Sequence, residues 1–193
     1  MVVVLTGVSV IMGAVLAGVN HITTPAIAAI NQKNTQTAIA NVLPGIKTDK
    51  IEDKDTIMNI GGKGCSFVLH KAISGSQWVG TAVESTSLGF GGDLKIMVGF
   101  DKEGNVLGYT LLAHNETPGL GAKADTWFQE GQKGNIISKN PQTPLTVKKD
   151  GGEIDAITAS TITSRAFLNA VNNAYQAIAE SPTDATTSAS SHK

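Results

Sequence analysis

A single cysteine, Cys65, occurs in the 193 residues. No internal disulfide can form, and the chain alone cannot offer the four thiolates that hold an iron–sulfur cluster. Redox chemistry in this chain would need another cofactor. Metal-ligand spacing is missing as well: His21, His70, His114 and His192 are scattered, which predicts no metal site. Charge imbalance is absent too, since 15 Lys and Arg stand against 16 Asp and Glu for a formal net charge of −1. That balance leaves no electrostatic footprint for nucleic acid.

Charge is entirely lacking from "MVVVLTGVSVIMGAVLAGV", residues 1–19, where Thr6 and Ser9 are the polar side chains. As a helix this stretch spans roughly 28 Å at 1.5 Å per residue, close to the hydrocarbon thickness of a bilayer. It reads as a transmembrane anchor over residues 1–20. A secretory signal is the competing reading, with "AIA" at 26–28 as its cleavage site, but such signals carry a positive segment that is missing here. A buried soluble helix is disfavoured because it is seldom apolar on every face. The same lack of charge deprives the positive-inside rule of anything to act on, so orientation does not follow from the residues. Gly13 with Ala17, and Ala14 with Gly18, have the small-xxx-small spacing of membrane helices that approach closely.

Residues 21–46 read as a linker helix, with Thr24 as N-cap, Pro25 in the first turn, and Pro44 and Gly45 as the stop. From 47 to 180 the pattern is mixed α and β. "LKIMVGF" alternates Leu94, Ile96, Val98 and Phe100 with smaller or polar residues, and pairs across "DKEGN" with "NVLGYTLLAH" to predict a hairpin. "QWVGTAVES" and "PLTVKKDGGEIDAIT" read as further strands, the latter bent at Gly151 and Gly152. "KADTWFQEGQ" predicts a short helix and residues 165–179 a longer one, with a stripe of Ala166, Ala170, Ala174 and Ile178 for packing on a sheet. The ending "SPTDATTSASSHK", residues 181–193, is small, polar and low in complexity, and predicts a disordered tail.

Two stretches carry chemistry. Thr158, Ser160, Thr161, Thr163 and Ser164 crowd five hydroxyls immediately before the long helix. Hydroxyls there either cap the unpaired N–H groups or help hold an anion, often a phosphate; capping is the commoner use. "HNETPGLGAK", residues 114–123, follows the hairpin. Pro118 fixes its own φ, and Gly119 and Gly121 permit close approaches, so the loop suits a flat ligand as well as an ordinary turn.

The apolar anchor, "LGFGGDLKIMVGFD", "HNETPGLGAK" and "DAITAST", in that order, resemble the FMN-binding domain of the G subunit of the Rnf electron-transport complex. They also resemble its relative, the C subunit of the sodium-pumping NADH:quinone reductase; the short length favours the Rnf type. The likeness runs from the anchor to about residue 179. It implies an α+β architecture, one transmembrane helix followed by a mixed α/β FMN-binding domain with an antiparallel sheet. It also implies FMN joined by a phosphoester to Thr161, attached by a separate flavin transferase that reads Asp155. Asp155 and Thr158 agree with the family's Asp-x-x-(Ser/Thr)-Gly-Ala-Thr motif, while Ala159 replaces the usual Gly and Ser160 the usual Ala. Ser160 is thereby a rival acceptor. Glu116, Thr117, Leu120, Gly121 and Lys123 are implied to lie near the flavin, with Thr163, Ser164 and Arg165 near its phosphate.

The implied role is an electron relay within a membrane complex that couples ferredoxin and NAD oxidoreduction to Na+ or H+ movement. The flavin domain would stand on the outer face of the cytoplasmic membrane, with other Rnf membrane subunits as partners. The loop "LGFGG" and the regions of Trp78 and Trp127 are candidate contacts with them. No residue reads as a general acid or base acting on a bound substrate. A tethered flavoprotein of another electron-transfer chain would keep both motifs, and a non-redox anchored module would carry no flavin.

Overall fold

The computed structural model describes residues 2–46, 49–60, 63–75 and 77–180, so the expected tail lies outside the described residues. Its contacts divide the chain into two units, 1–37 and 38–193. The first unit is the greater part of helix α1 (Val2–Val42). Val4–His21 has a mean hydropathy of 1.6 with nothing buried, and is long and apolar enough to cross a membrane. Val4, Leu5, Val10 and Leu16 all stand exposed, an arrangement costly in water and favourable in lipid.

The expected break at Thr24 does not occur. Thr24 lies inside α1, where its hydroxyl donates to the carbonyl of Asn20 at 2.6 Å, and that of Thr23 donates to Val19 at 2.9 Å. Both satisfy carbonyls one turn back instead of capping a new helix. Pro25 withdraws a single backbone donor from a helix of 41 residues, too little to end it. The expected stop holds: α1 ends at Val42, and Gly45 follows with φ +77°.

In the second unit, five strands form one antiparallel sheet in chain order: β1 (Lys50–Ile60), β2 (Lys63–Ser74), β3 (Gln77–Leu88), β4 (Asp93–Phe100) and β5 (Val106–Ala113). The predicted β4–β5 hairpin is present, pairing Val98 with Tyr109. Its turn is locked by the Asp101 carboxylate, which accepts from the N–H groups of Glu103 and Asn105. One face of the sheet presents Phe67, Leu69, Val83, Ile96, Val98 and Phe100 to helix α3 (Thr161–Glu180), which answers with Phe167, Leu168, Ala170, Val171 and Ala174. Phe167 stacks on Phe128 with centroids 4.2 Å apart and meets Tyr109 edge-on. The opposite face packs Ala72, Ala82 and Met97 under Ala38, Ile39, Val42 and Leu43 at the end of α1. Gly99 and Gly108, paired across β4 and β5, make that approach possible, because a Cβ on either would meet the backbone of Val42.

Two expectations need correcting. The segment 144–158 is not the bent strand expected; Val147 and Ile154 make one isolated parallel bridge around a 3-10 turn, Lys148–Asp150. Gly151, at φ +86°, turns the chain back before a ladder can extend. Helix α3 starts at Thr161, four residues before the expected start, so the hydroxyl cluster forms its first turn. The short helix is present but contracted to α2 (Ala124–Trp127) after a 3-10 turn at Gly121–Lys123.

Candidate functional site

Three segments meet at the end of the sheet where α3 begins. The first is the turn after β5. Leu120 N–H donates to the Thr117 carbonyl at 3.1 Å, enclosing Pro118 and Gly119, and Gly119 has φ +76°. A turn with positive φ at its third position takes Pro before Gly for this reason.

The second segment is the β3–β4 connection, "GFGG" at 89–92. Buried Glu116 joins it to the first: its Oε1 accepts from the N–H groups of Phe90 (2.8 Å) and Gly91 (3.2 Å). Its Oε2 accepts from the Thr163 hydroxyl at 2.7 Å, in the first turn of α3. One carboxylate thus clasps both loops and the helix. A Cβ at Gly121 would meet Glu116 Oε2 and stand 2.8 Å from Thr163 Oγ1, so only glycine fits against the clasp.

The third segment, residues 155–160, leads into α3 and is fastened at several points. Trp127 Nε1–H donates to the Asp155 carbonyl, and Lys148 Nζ donates to its carboxylate, both at 2.8 Å. Ser160 N–H closes a turn onto the Ile157 carbonyl, which places Ala159 at φ +61°. The fully buried Ser164 hydroxyl accepts from Ile157 N–H and donates to the Ser160 carbonyl, each at 2.9 Å. Ser164 is therefore committed to shaping the loop.

Between these segments lies a pocket of about 400 Å³. Of the residues singled out from the sequence, Glu116, Thr117, Leu120, Gly121, Ser160, Thr161 and Thr163 line it. Asp155, Thr158, Lys123 and Ser164 do not; Lys123 and Thr158 are exposed. Phe90, expected within a partner-contact loop, Ala159, noted as a departure from the motif, and Ile162 line it without having been expected at the flavin. Phe90 had a signal, an aromatic between glycines, but its place depends on Glu116, 26 residues away. A larger hollow of about 500 Å³, near Thr143–Thr146 and Gly151–Ile154, contains none of the expected residues. The smaller pocket is the one with the relevant chemistry.

That pocket suits a flat aromatic group bearing a phosphate. Phe90, Leu120 and Ile162 are 70%, 41% and 52% exposed, an apolar rim that a planar ligand would shield from water. The N–H groups of Thr161, Ile162 and Thr163 begin the helix without intrahelical acceptors, the first helical acceptor bond here being Ser164 N–H to Ser160 O. Cations gather beside them. Arg165 makes a two-point contact with Asp150 at 2.7 and 2.6 Å, and this partner holds the Asp150 carboxyl below its ordinary range. Lys149 Nζ lies 3.4 Å from Thr161 Oγ1.

Residues 89–176 match the family described as FMN-binding domain, a span that takes in every residue lining the pocket. The chain is also 33% identical, over 84% of its length and 85% of the relative's, to the G subunit of the ion-translocating oxidoreductase complex of Shewanella baltica. It is 36% identical to the corresponding protein of Shewanella piezotolerans, covering 81% of this chain and 77% of that one. The chain belongs to this family of oxidoreductase-complex G subunits. A shorter match, 41% identical over 111 residues, is to the family's member from Yersinia pestis. The family places an FMN-binding domain around this pocket, and Val4–His21 of α1 is long and apolar enough to cross a membrane.

Proposed function

We propose that the chain carries FMN covalently, through a phosphoester on Thr161, and relays electrons inside an Rnf-type complex that couples ferredoxin and NAD oxidoreduction to Na+ or H+ movement. The observation that carries this reading is the position of Thr161. It is the first residue of α3, at the pocket wall, half-buried, with a lysine ammonium beside its hydroxyl. Ser160 is more enclosed, at 9% exposure, and its carbonyl is the first acceptor of the helix. The departure from the family motif at Ser160 therefore leaves Thr161 the more accessible acceptor.

FMN bound there would supply electron uptake and release; the protein's part is to hold and shield it. Glu116 fixes the Phe90 loop and Gly121 against α3, giving the apolar rim a defined spacing. Asp155, Trp127 and Ser164 hold the loop that presents Thr161 in a single conformation, as recognition by a flavin transferase would require. Helix α1 would anchor the domain beside the other membrane subunits, with the flavin on the outer face of the cytoplasmic membrane. There a covalent link prevents loss of the cofactor.

Coexpression with a flavin transferase, denaturation and in-gel flavin fluorescence test the reading. Fluorescence in the wild type that vanishes in Thr161→Ala is expected. A wild type without fluorescence, or a Thr161→Ala variant that keeps it, would overturn it.

A further inference from the structure

Three cations stand close to the acceptor loop, and they are not equivalent. Lys148 is paired with Asp155 at 2.8 Å and Arg165 with Asp150 at 2.6 Å. Among the described residues, Lys149 makes no carboxylate pair within salt-bridge distance; its ammonium is directed at Thr161 Oγ1. Both carboxylates nearest the loop are in direct contact with the neighbouring cations, and Lys149 acts on Asp150 only at longer range, so its ammonium is left without a contacting carboxylate among the described residues and can take an anion at Thr161. A phosphodiester on Thr161 carries one negative charge, which one free ammonium matches.

Resting on the covalent reading above, we propose that Lys149 is a catalytic residue contributed by the acceptor protein to its own flavin attachment. The donor is a flavin dinucleotide, presented by the transferase. Thr161 Oγ forms a bond to the phosphorus of the FMN half as the anhydride bond to the adenylate half breaks. AMP leaves with the bridging oxygen, and the threonine proton passes to a base on the transferase. No oxidant or reductant is consumed. Negative charge gathers on the phosphoryl oxygens as the bonds exchange, and Lys149 stands beside the attacking oxygen to stabilise it. At 3.4 Å the contact is long for a hydrogen bond to Oγ1 itself, which leaves the ammonium free to reach a non-bridging oxygen on the phosphorus that Oγ1 attacks, two bonds further out. Once the bond is made, the same ammonium remains as counter-charge to the diester.

The test follows attachment to the full detergent-solubilised chain in its apo form, with transferase and flavin dinucleotide, by covalent fluorescence against time. Lys149→Gln and Lys149→Arg are compared with wild type over a range of acceptor concentrations. Lys149 is exposed, and among the described residues its ammonium reaches the Thr161 hydroxyl and no carboxylate, so all three proteins should melt together. Lys149→Gln should lower the maximal rate roughly ten-fold or more with little change in KM, and Lys149→Arg should recover much of it. Attachment to Lys149→Gln at the wild-type rate, or equal slowing in both variants, overturns the role of Lys149 and leaves the flavin reading standing. Absence of label from the wild type overturns both.

Discussion

Glu116 and Thr163 are 47 positions apart in the chain, and the hydroxyl of Thr163 donates to the carboxylate of Glu116 at 2.7 Å. Through that bond the turn after β5 is held to the first turn of α3, and the same carboxylate fixes the Phe90 loop. The pocket wall is therefore one hydrogen-bonded unit built from three distant segments.

Thr163→Val keeps the side-chain shape but removes the donor to Glu116 Oε2. Both residues are buried, so the loss should cost about 1–3 kcal/mol, read from urea unfolding of the solubilised chain. Glu116→Ala should cost more, because it also strips the acceptor from the Phe90 and Gly91 N–H groups. Equal stability of Thr163→Val and wild type would contradict the clasp.

Ala159 holds φ +61° in the turn that closes from Ser160 to Ile157. A left-handed conformation costs a non-glycine residue about 1–2 kcal/mol, while glycine loses about 0.5–1 kcal/mol more chain entropy on folding. Ala159→Gly should therefore raise stability by roughly 0.5–1 kcal/mol, and Ala159→Val should lower it. Thermal melting checks the order of the three proteins. The positive φ thus gives a physical reason for the glycine usual at this motif position.

On the sheet face opposite α3, buried His70 stands 2.6 Å from Asp53 and 3.4 Å from Glu84, and Glu84 pairs with Lys95 at 2.6 Å. Burial disfavours the His70 imidazolium, but the hydrogen bonds to Glu84 and Asp53 outweigh it and raise its pKa above the ordinary 6.5. His70, with Lys95, holds the Glu84 carboxyl below its ordinary 4.5. The His70 contribution is complete below 6.5 and fades as pH rises through the raised value; that of Glu84 is complete above 4.5 and fades as pH falls through the lowered value. The melting-temperature gap between wild type and His70→Gln should therefore be widest near pH 5–6 and narrow on the alkaline side. A gap that widens with rising pH would contradict a protonated His70.

The β4–β5 hairpin was legible because Leu94, Ile96, Val98 and Phe100 alternate around a turn rich in Asp, Gly and Asn. Strand β1 was not, since "KIEDKDTIMNI" is an edge strand whose exposed charges obscure the alternation. Helix α3 begins earlier than its apolar stripe implies because Thr-Ile-Thr has weak helix propensity; Ser164, tied to Ile157 and Ser160, sets the first turn from outside that local preference. Thr161, Leu120 and Gly121 are marked by motif chemistry. Phe90 and the clasping role of Glu116 are not, because each depends on contacts across more than twenty residues.

The most direct measurement is mass spectrometry of peptides from the flavinylated chain, comparing wild type, Ser160→Ala and Thr161→Ala. If Thr161 is the acceptor, an FMN-phosphoryl mass sits on the peptide containing it in wild type and Ser160→Ala alike, and is absent from Thr161→Ala. An FMN mass retained in Thr161→Ala, or lost in Ser160→Ala, would contradict that assignment.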